Sequence, residues 1–158
     1  MSASTLVAPA KILVVDDSAV AVGLVRLMMA REPYAFRHAV DGAQALEIAA
    51  HDRPDLILLD WMMPGLDGLE TLRRLRADPA RRGIPVIMLS VRGKADDVAT
   101  ALAAGCVAYL TKPIEAGLLL AAVRSVLVRS AASSAARMAD SRPSPAAASA
   151  PAEPLLPR

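Results

Sequence analysis

KILVVDDS, residues 11–18, closes a short apolar run with two aspartates, and DLILLDWMMPG, residues 55–65, closes a second run with one. Short runs of Val, Ile and Leu bounded by charged or turn residues read as strands buried on both faces, the pattern of a parallel sheet. Parallel strands all end on the same side, so Asp16, Asp17 and Asp60 are expected to meet at one edge. At an effective dielectric of about 20, two carboxylates roughly 5 Å apart repel by about 3 kcal/mol. A hard divalent cation with oxygen ligands reverses that cost.

Working outward, residues 86–89 form a third strong strand candidate, and 34–39 and 108–110 are weaker ones. Helical spacing fills the intervals: Val20, Leu24 and Leu27; Ala45, Leu46 and Ala49; Leu69, Leu72 and Leu75; Val98, Leu102 and Gly105; Leu119, Val123 and Val126. Pro33, Pro54, Pro79 and Pro85 stand between the elements, and Gly42, Gly68 and Gly83 sit at turns or helix ends. Alternation of strand and helix, with crossovers suited to parallel pairing, predicts an α/β, doubly wound, five-stranded parallel sheet. The expected order is 2-1-3-4-5, the flavodoxin-like arrangement, in a single domain.

The 158 residues, 54% hydrophobic, suffice for one core. A net charge of +2, with basic residues scattered along helices, lacks the footprint of a nucleic-acid binder, so no nucleic-acid partner is expected. The single cysteine, Cys106, has no intrachain partner and reads as a small buried residue. No cationic leader precedes an apolar stretch, and no uninterrupted apolar run approaches the roughly 18 residues of a membrane span, so a cytoplasmic location without membrane contact is expected. Residues 1–9 read as a loose leader and 10–130 as the folded domain. The Ala-, Pro- and Ser-rich stretch 131–158 reads as a disordered tail, whose alanine-rich start could extend the last helix by a turn or two.

Ligand sites in such sheets lie beyond the carboxyl ends of the strands. Asp16, Asp17, Asp60, Ser90, Thr111 and Lys112 all follow predicted strand ends. Each has a bland reading, as helix cap, turn residue or solvated lysine. Complementary groups from four separate loops on one edge are hard to obtain by chance.

KILVVDDS, LILLDWMMPGLDGLE, IPVIMLS and AYLTKPI stand in the order and approximate spacing of the CheY-like receiver domain of two-component response regulators, and the chain resembles that family over residues 10–129. The resemblance implies that Asp60 accepts a phosphoryl group from a phosphohistidine of a sensor histidine kinase or histidine phosphotransfer protein. It implies that Asp16, Asp17 and Asp60, with the carbonyl of Met62, hold Mg²⁺, and that Lys112 contacts a phosphoryl oxygen. It also implies a cis Lys112–Pro113 bond and a chain that is no enzyme beyond its own phosphorylation and dephosphorylation. The DWMMPG wording is similar to that of receivers joined to diguanylate cyclases.

The chemistry runs the same way. Phosphoryl transfer needs positioning and charge neutralisation, which Mg²⁺, Lys112 and the Ser90 hydroxyl supply. Asp60 stands alone as nucleophile, whereas the adjacent Asp16 and Asp17 suit a metal. His38 and His51 fall away from the site loops and read as ordinary histidines.

In receivers the hydroxyl loop moves inward and an aromatic residue of the fifth strand follows; Tyr109 matches that position. The readout surface is then the fourth helix, fifth strand and fifth helix, facing an unknown downstream protein. Leu118, Leu119, Leu120 and Val128 cannot all face the core, so part of that surplus should form a partner or homodimer patch. Val91 replaces the usual small residue after the hydroxyl, predicting a longer-lived phosphoryl group. Ile114 replaces a common phenylalanine, and Ala108 a common acidic residue. With no effector domain recognisable after the fifth helix, a stand-alone regulator is expected. The alternative is a phosphorylation-independent interaction module that retains the acidic site. A flavin site is disfavoured because the first loop is acidic, and an aspartyl-phosphate hydrolase because its DxD motif is absent.

Overall fold

Ile12, Val14, Leu56, Leu58, Ile87 and Leu89 point to one face of the sheet, while Leu13, Val15, Ile57, Leu59, Val86 and Met88 point to the other, and all are buried. This two-sided burial of alternating side chains requires helices on both faces. The computed structural model describes residues 8–140 and supplies them. The strands are β1 (Lys11–Val15), β2 (Ala35–Ala39), β3 (Leu56–Asp60), β4 (Val86–Ser90) and β5 (Ala108–Thr111). The helices are α1 (Ala19–Met28), α2 (Gly42–Asp52), α3 (Gly68–Ala77), α4 (Ala95–Ala104) and α5 (Ala116–Asp140). Every strand pair is parallel and the order is β2-β1-β3-β4-β5, as the sequence predicts. Residues of α1 and α5 cover one face, those of α2, α3 and α4 the other.

Local chemistry starts the helices where the patterns place them. Ser18 accepts a hydrogen bond from the Ala21 N–H at 3.2 Å, Asp41 from Gln44 at 2.7 Å and Asp67 from Glu70 at 2.9 Å. Each cap satisfies an otherwise orphaned amide and is worth about 1 kcal/mol. α4 lacks a side-chain cap but has Asp96 and Asp97 in its first turn, and it ends on Gly105 at φ 113°. At Gly68 the close approach is to the backbone: a Cβ there would stand 2.2 Å from the carbonyl oxygen of Asp60.

Two expected helix stripes change, and the last helix runs on into the alanine-rich stretch. On α1 the buried residues are Val22 and Val25, with Met29 just beyond, while Val20, Leu24 and Leu27 are exposed. Both stripes have helical spacing, and the choice between them depends on the direction in which the helix leaves the acidic loop. On α4, Ala101 is buried and Leu102 exposed, so a methyl group and not the larger side chain faces the sheet. α5 continues to Asp140, beyond residue 130, so the start of the alanine-rich segment is helical, while residues 1–7 and 141–158 of the expected leader and tail lie outside the described residues. Alanine's high helix propensity accounts for the extension. By length and composition Ala116–Arg137 is also a helix able to cross a membrane, although Arg124 and Arg129 interrupt its apolar run in the sequence. Its Leu119 and Val123 are packed against the sheet.

Candidate functional site

Register builds the acidic edge. Val15 pairs with Leu59, so the next residues, Asp16 just past β1 and Asp60 at the end of β3, lie side by side, and Ser90 pairs with Thr111 immediately before Lys112. Carboxylate oxygens of Asp16, Asp17 and Asp60 lie within 4.8 Å of one another. Asp16 and Asp60 are 6% and 5% exposed, which removes most of the water that would screen them; Asp17 is open to solvent. Lys112 reaches in across the β5–α5 loop, its Nζ 3.1 Å from Asp16 Oδ2 and 3.4 Å from Asp60 Oδ1. The Lys112–Pro113 peptide is cis.

One ammonium does not neutralise three carboxylates. Burial, and then the neighbouring Asp16, push the Asp60 carboxyl above the usual carboxylate range, against the opposing pull of Lys112 and of the Met62 amide, which donates to it. Burial alone would lower Lys112, but the Asp60 and Asp16 carboxylates outweigh it and hold the ammonium above its ordinary value. The surplus negative charge, presented by hard oxygen donors at an open edge, fits a divalent cation such as Mg²⁺.

Ser90 is fully buried at the end of β4, and its Oγ accepts the Arg92 N–H at 3.1 Å. A hydroxyl has one proton and two lone pairs, so its proton is still available to donate. Tyr109, half-buried on β5, donates its phenolic O–H to the carbonyl of Arg92 and stands edge-on to Trp61, ring centroids 6.4 Å apart. Val91 is 66% exposed beside this loop.

The sequence gives little warning of the cover over that loop. The Arg92 guanidinium lies over the Trp61 ring at 4.9 Å, with its Nε 3.3 Å from the Met62 sulfur and Nη1 3.5 Å from Asp97. Adjacency of Trp61 and Met62 to Asp60 was the available signal; the partner lies 30 residues away. His38 also departs from expectation: its Nε2 is 2.9 Å from the carbonyl oxygen of Asp16, so it touches the acidic loop through the backbone. Alternation along β2, adjacent to β1, causes this. His51 is exposed on α2. Cys106 is buried and its thiol is pushed up by burial, in keeping with a packing role.

A model of the response regulator receiver domain matches residues 12–124. The response regulator PleD of Caulobacter vibrioides is 44% identical over 117 residues, covering 74% of this chain and 26% of that protein. Among solved structures, the receiver domain of Francisella response regulator 1452 superposes with a TM-score of 0.71 at 32% identity, covering 76% of this chain and 98% of its own. The chemotaxis protein CheY4 of Vibrio cholerae gives 0.70 at 30% identity, covering 75% and 99%. The chain thus spans about a quarter of the length of PleD and nearly all of two single-domain structures.

Proposed function

This chain belongs to the response regulator receiver domain family, as a phospho-accepting regulatory domain, and we propose that Asp60 is its acceptor and Mg²⁺ its cofactor. The observation that carries the reading is Asp60 itself, nearly buried, gathered with Asp16 and Asp17 and bridged to Asp16 by the Lys112 ammonium. An Asp60 Oδ attacks the phosphorus of a phosphohistidine presented by a sensor histidine kinase or phosphotransfer protein. The P–N bond breaks as the O–P bond forms, and the electron pair leaves on the imidazole of the partner. Asp16, Asp17 and Asp60, with the Met62 carbonyl, would hold Mg²⁺, which would supply charge neutralisation at the transferred group. Lys112 then exchanges part of its contact with Asp60 for a phosphoryl oxygen. The Ser90 proton is donated to another oxygen of the group, and this new hydrogen bond draws the β4–α4 loop inward.

That loop carries Arg92, whose carbonyl holds Tyr109, so movement at Ser90 is passed to β5. The output surface in this reading is α4, β5 and α5. Leu118 is 57% and Val128 69% exposed on α5, a surface suited to a downstream protein or a second copy, while Leu120 packs partly into the core.

Mass spectrometry after incubation with acetyl phosphate and Mg²⁺ tests the proposal. One phosphoryl group on the peptide containing Asp60 is expected, lost in Asp60→Asn and in EDTA. A wild-type chain that stays unmodified overturns it in favour of the phosphorylation-independent module.

A further inference from the structure

At the opposite end of the sheet, where β4 and β5 begin, a cavity of about 350 Å³ is lined by Arg76, Arg82, Arg129 and Arg137 together with Ser130 and Ser133. Among the described residues no carboxylate lines it. The arginine ion pairs among those residues are formed by Arg37, Arg73, Arg74, Arg81, Arg92 and Arg124, and by none of these four.

Arg76 makes the arrangement unusual. Its Nε and Nη2 donate to the Gly105 carbonyl at 3.0 and 2.9 Å, and its Nη1 donates to the carbonyls of Arg82 and Ile84 at 3.0 and 2.7 Å. Those partners take four of its five N–H groups and carry no net charge. Burial pushes the guanidinium below its ordinary value, against a smaller opposing pull from the Cys106 thiol. Three further guanidinium groups around the same space raise the positive potential instead of offsetting it. The adjoining cavity of about 320 Å³ adds Arg53 and one carboxylate, Asp55, which already accepts the Lys11 N–H at 2.7 Å.

We infer that this cavity is an anion site for an organic polyphosphate of nucleotide size. Guanidinium forks match phosphate oxygens bidentately. Arg76, with its donors committed to carbonyls, acts through charge, whereas the exposed side chains of Arg82, Arg129 and Arg137 supply donors and Ser130 and Ser133 add hydroxyls. Val107 and Val126 form an apolar wall against which a flat base can pack, which favours an organic phosphate over a bare ion. The volume lies within the usual range for small-molecule sites. A nucleic-acid strand fits less well, because the arginines ring one cavity on a chain whose net charge is only +2.

Isothermal titration calorimetry of the full chain in EDTA, which disables the acidic edge, tests the site with ADP, pyrophosphate, orthophosphate and adenosine as probes. ADP is expected to saturate one site, pyrophosphate to bind more weakly and adenosine to give no heat. Arg82→Glu, Arg129→Glu and Arg137→Glu, each at an exposed position, should weaken ADP by about tenfold or more with Trp61 emission unchanged. Arg129→Lys should lose less than Arg129→Glu. The inference fails if ADP gives no saturable heat or if the three variants bind as the wild type does. It also fails if orthophosphate or a single-stranded oligonucleotide competes as well as ADP does.

Discussion

The guanidinium of Arg92 lies over Trp61, 4.9 Å from the ring centroid, and so ties the loop after β4 to the residue that follows Asp60. A cation over an indole face is worth about 0.5–1 kcal/mol at a partly exposed site. Arg92→Ala is therefore expected to destabilise the fold by about that amount and lower the melting midpoint by a few degrees. Trp61 is 5% exposed, so the same substitution should shift its emission to longer wavelength. Differential scanning fluorimetry and an emission spectrum check both outcomes.

Trp61 is also the only tryptophan and adjoins Asp60, which makes it a reporter of the acidic edge. Titration with Mg²⁺ should change its intensity, and beryllofluoride should change it again. Asp17→Asn is expected to weaken the Mg²⁺ response by about tenfold, since it removes one charged ligand. Asp60→Asn should abolish the second response.

The raised Asp60 carboxyl makes stability fall with pH. A carboxyl protonated more readily in the folded state than in the unfolded chain favours folding below its ordinary value of 3.8, and that advantage is lost as pH rises through the higher folded value. In EDTA, Asp60→Asn should consequently be more stable than wild type at neutral pH, by an amount of order 1 kcal/mol. The difference should shrink in acid and on adding Mg²⁺. Urea denaturation at several pH values measures it.

Val91, 66% exposed next to Ser90, carries a branched side chain at the mouth of the acidic edge. Val91→Ala is expected to shorten the phosphoryl lifetime severalfold by opening a path for water, measured as loss of label over time. An unchanged rate counts against the steric account.

Leu118 and Val128 on α5 serve as the test of the outer surface. Leu118→Ala and Val128→Ala should weaken self-association or partner binding while leaving the melting midpoint nearly constant. Leu120→Ala should lower the midpoint, since that side chain is partly packed in the core. Sedimentation of phosphorylated and unphosphorylated protein separates the outcomes.

How far the sequence carried the fold depended on whether the deciding contact was local. Strands such as 56–60 were legible because an apolar run ending in a charge leaves little choice, and with them came the meeting of Asp16, Asp17 and Asp60. On α1 two apolar stripes of equal spacing competed, and only packing against β1 and α5 selects Val22 and Val25. Arg92 over Trp61 and His38 on the Asp16 carbonyl were illegible because each joins segments far apart in the chain, with no periodicity to mark the pair. The arginine-lined cavity is a stronger case, assembled from the ends of α3, the starts of β4 and β5, and the extension of α5.

At position 68 any Cβ would intrude on the peptide oxygen of Asp60. Helix α3 thus rests on the main chain of residue 60 with no side chain as a cushion. A tilt of that helix is felt at the Asp60 carboxyl as a shift of its own anchor. A one-letter change there would silence the protein while leaving every ionisable group intact, and in a saturation-mutagenesis map the site should tolerate a single amino acid.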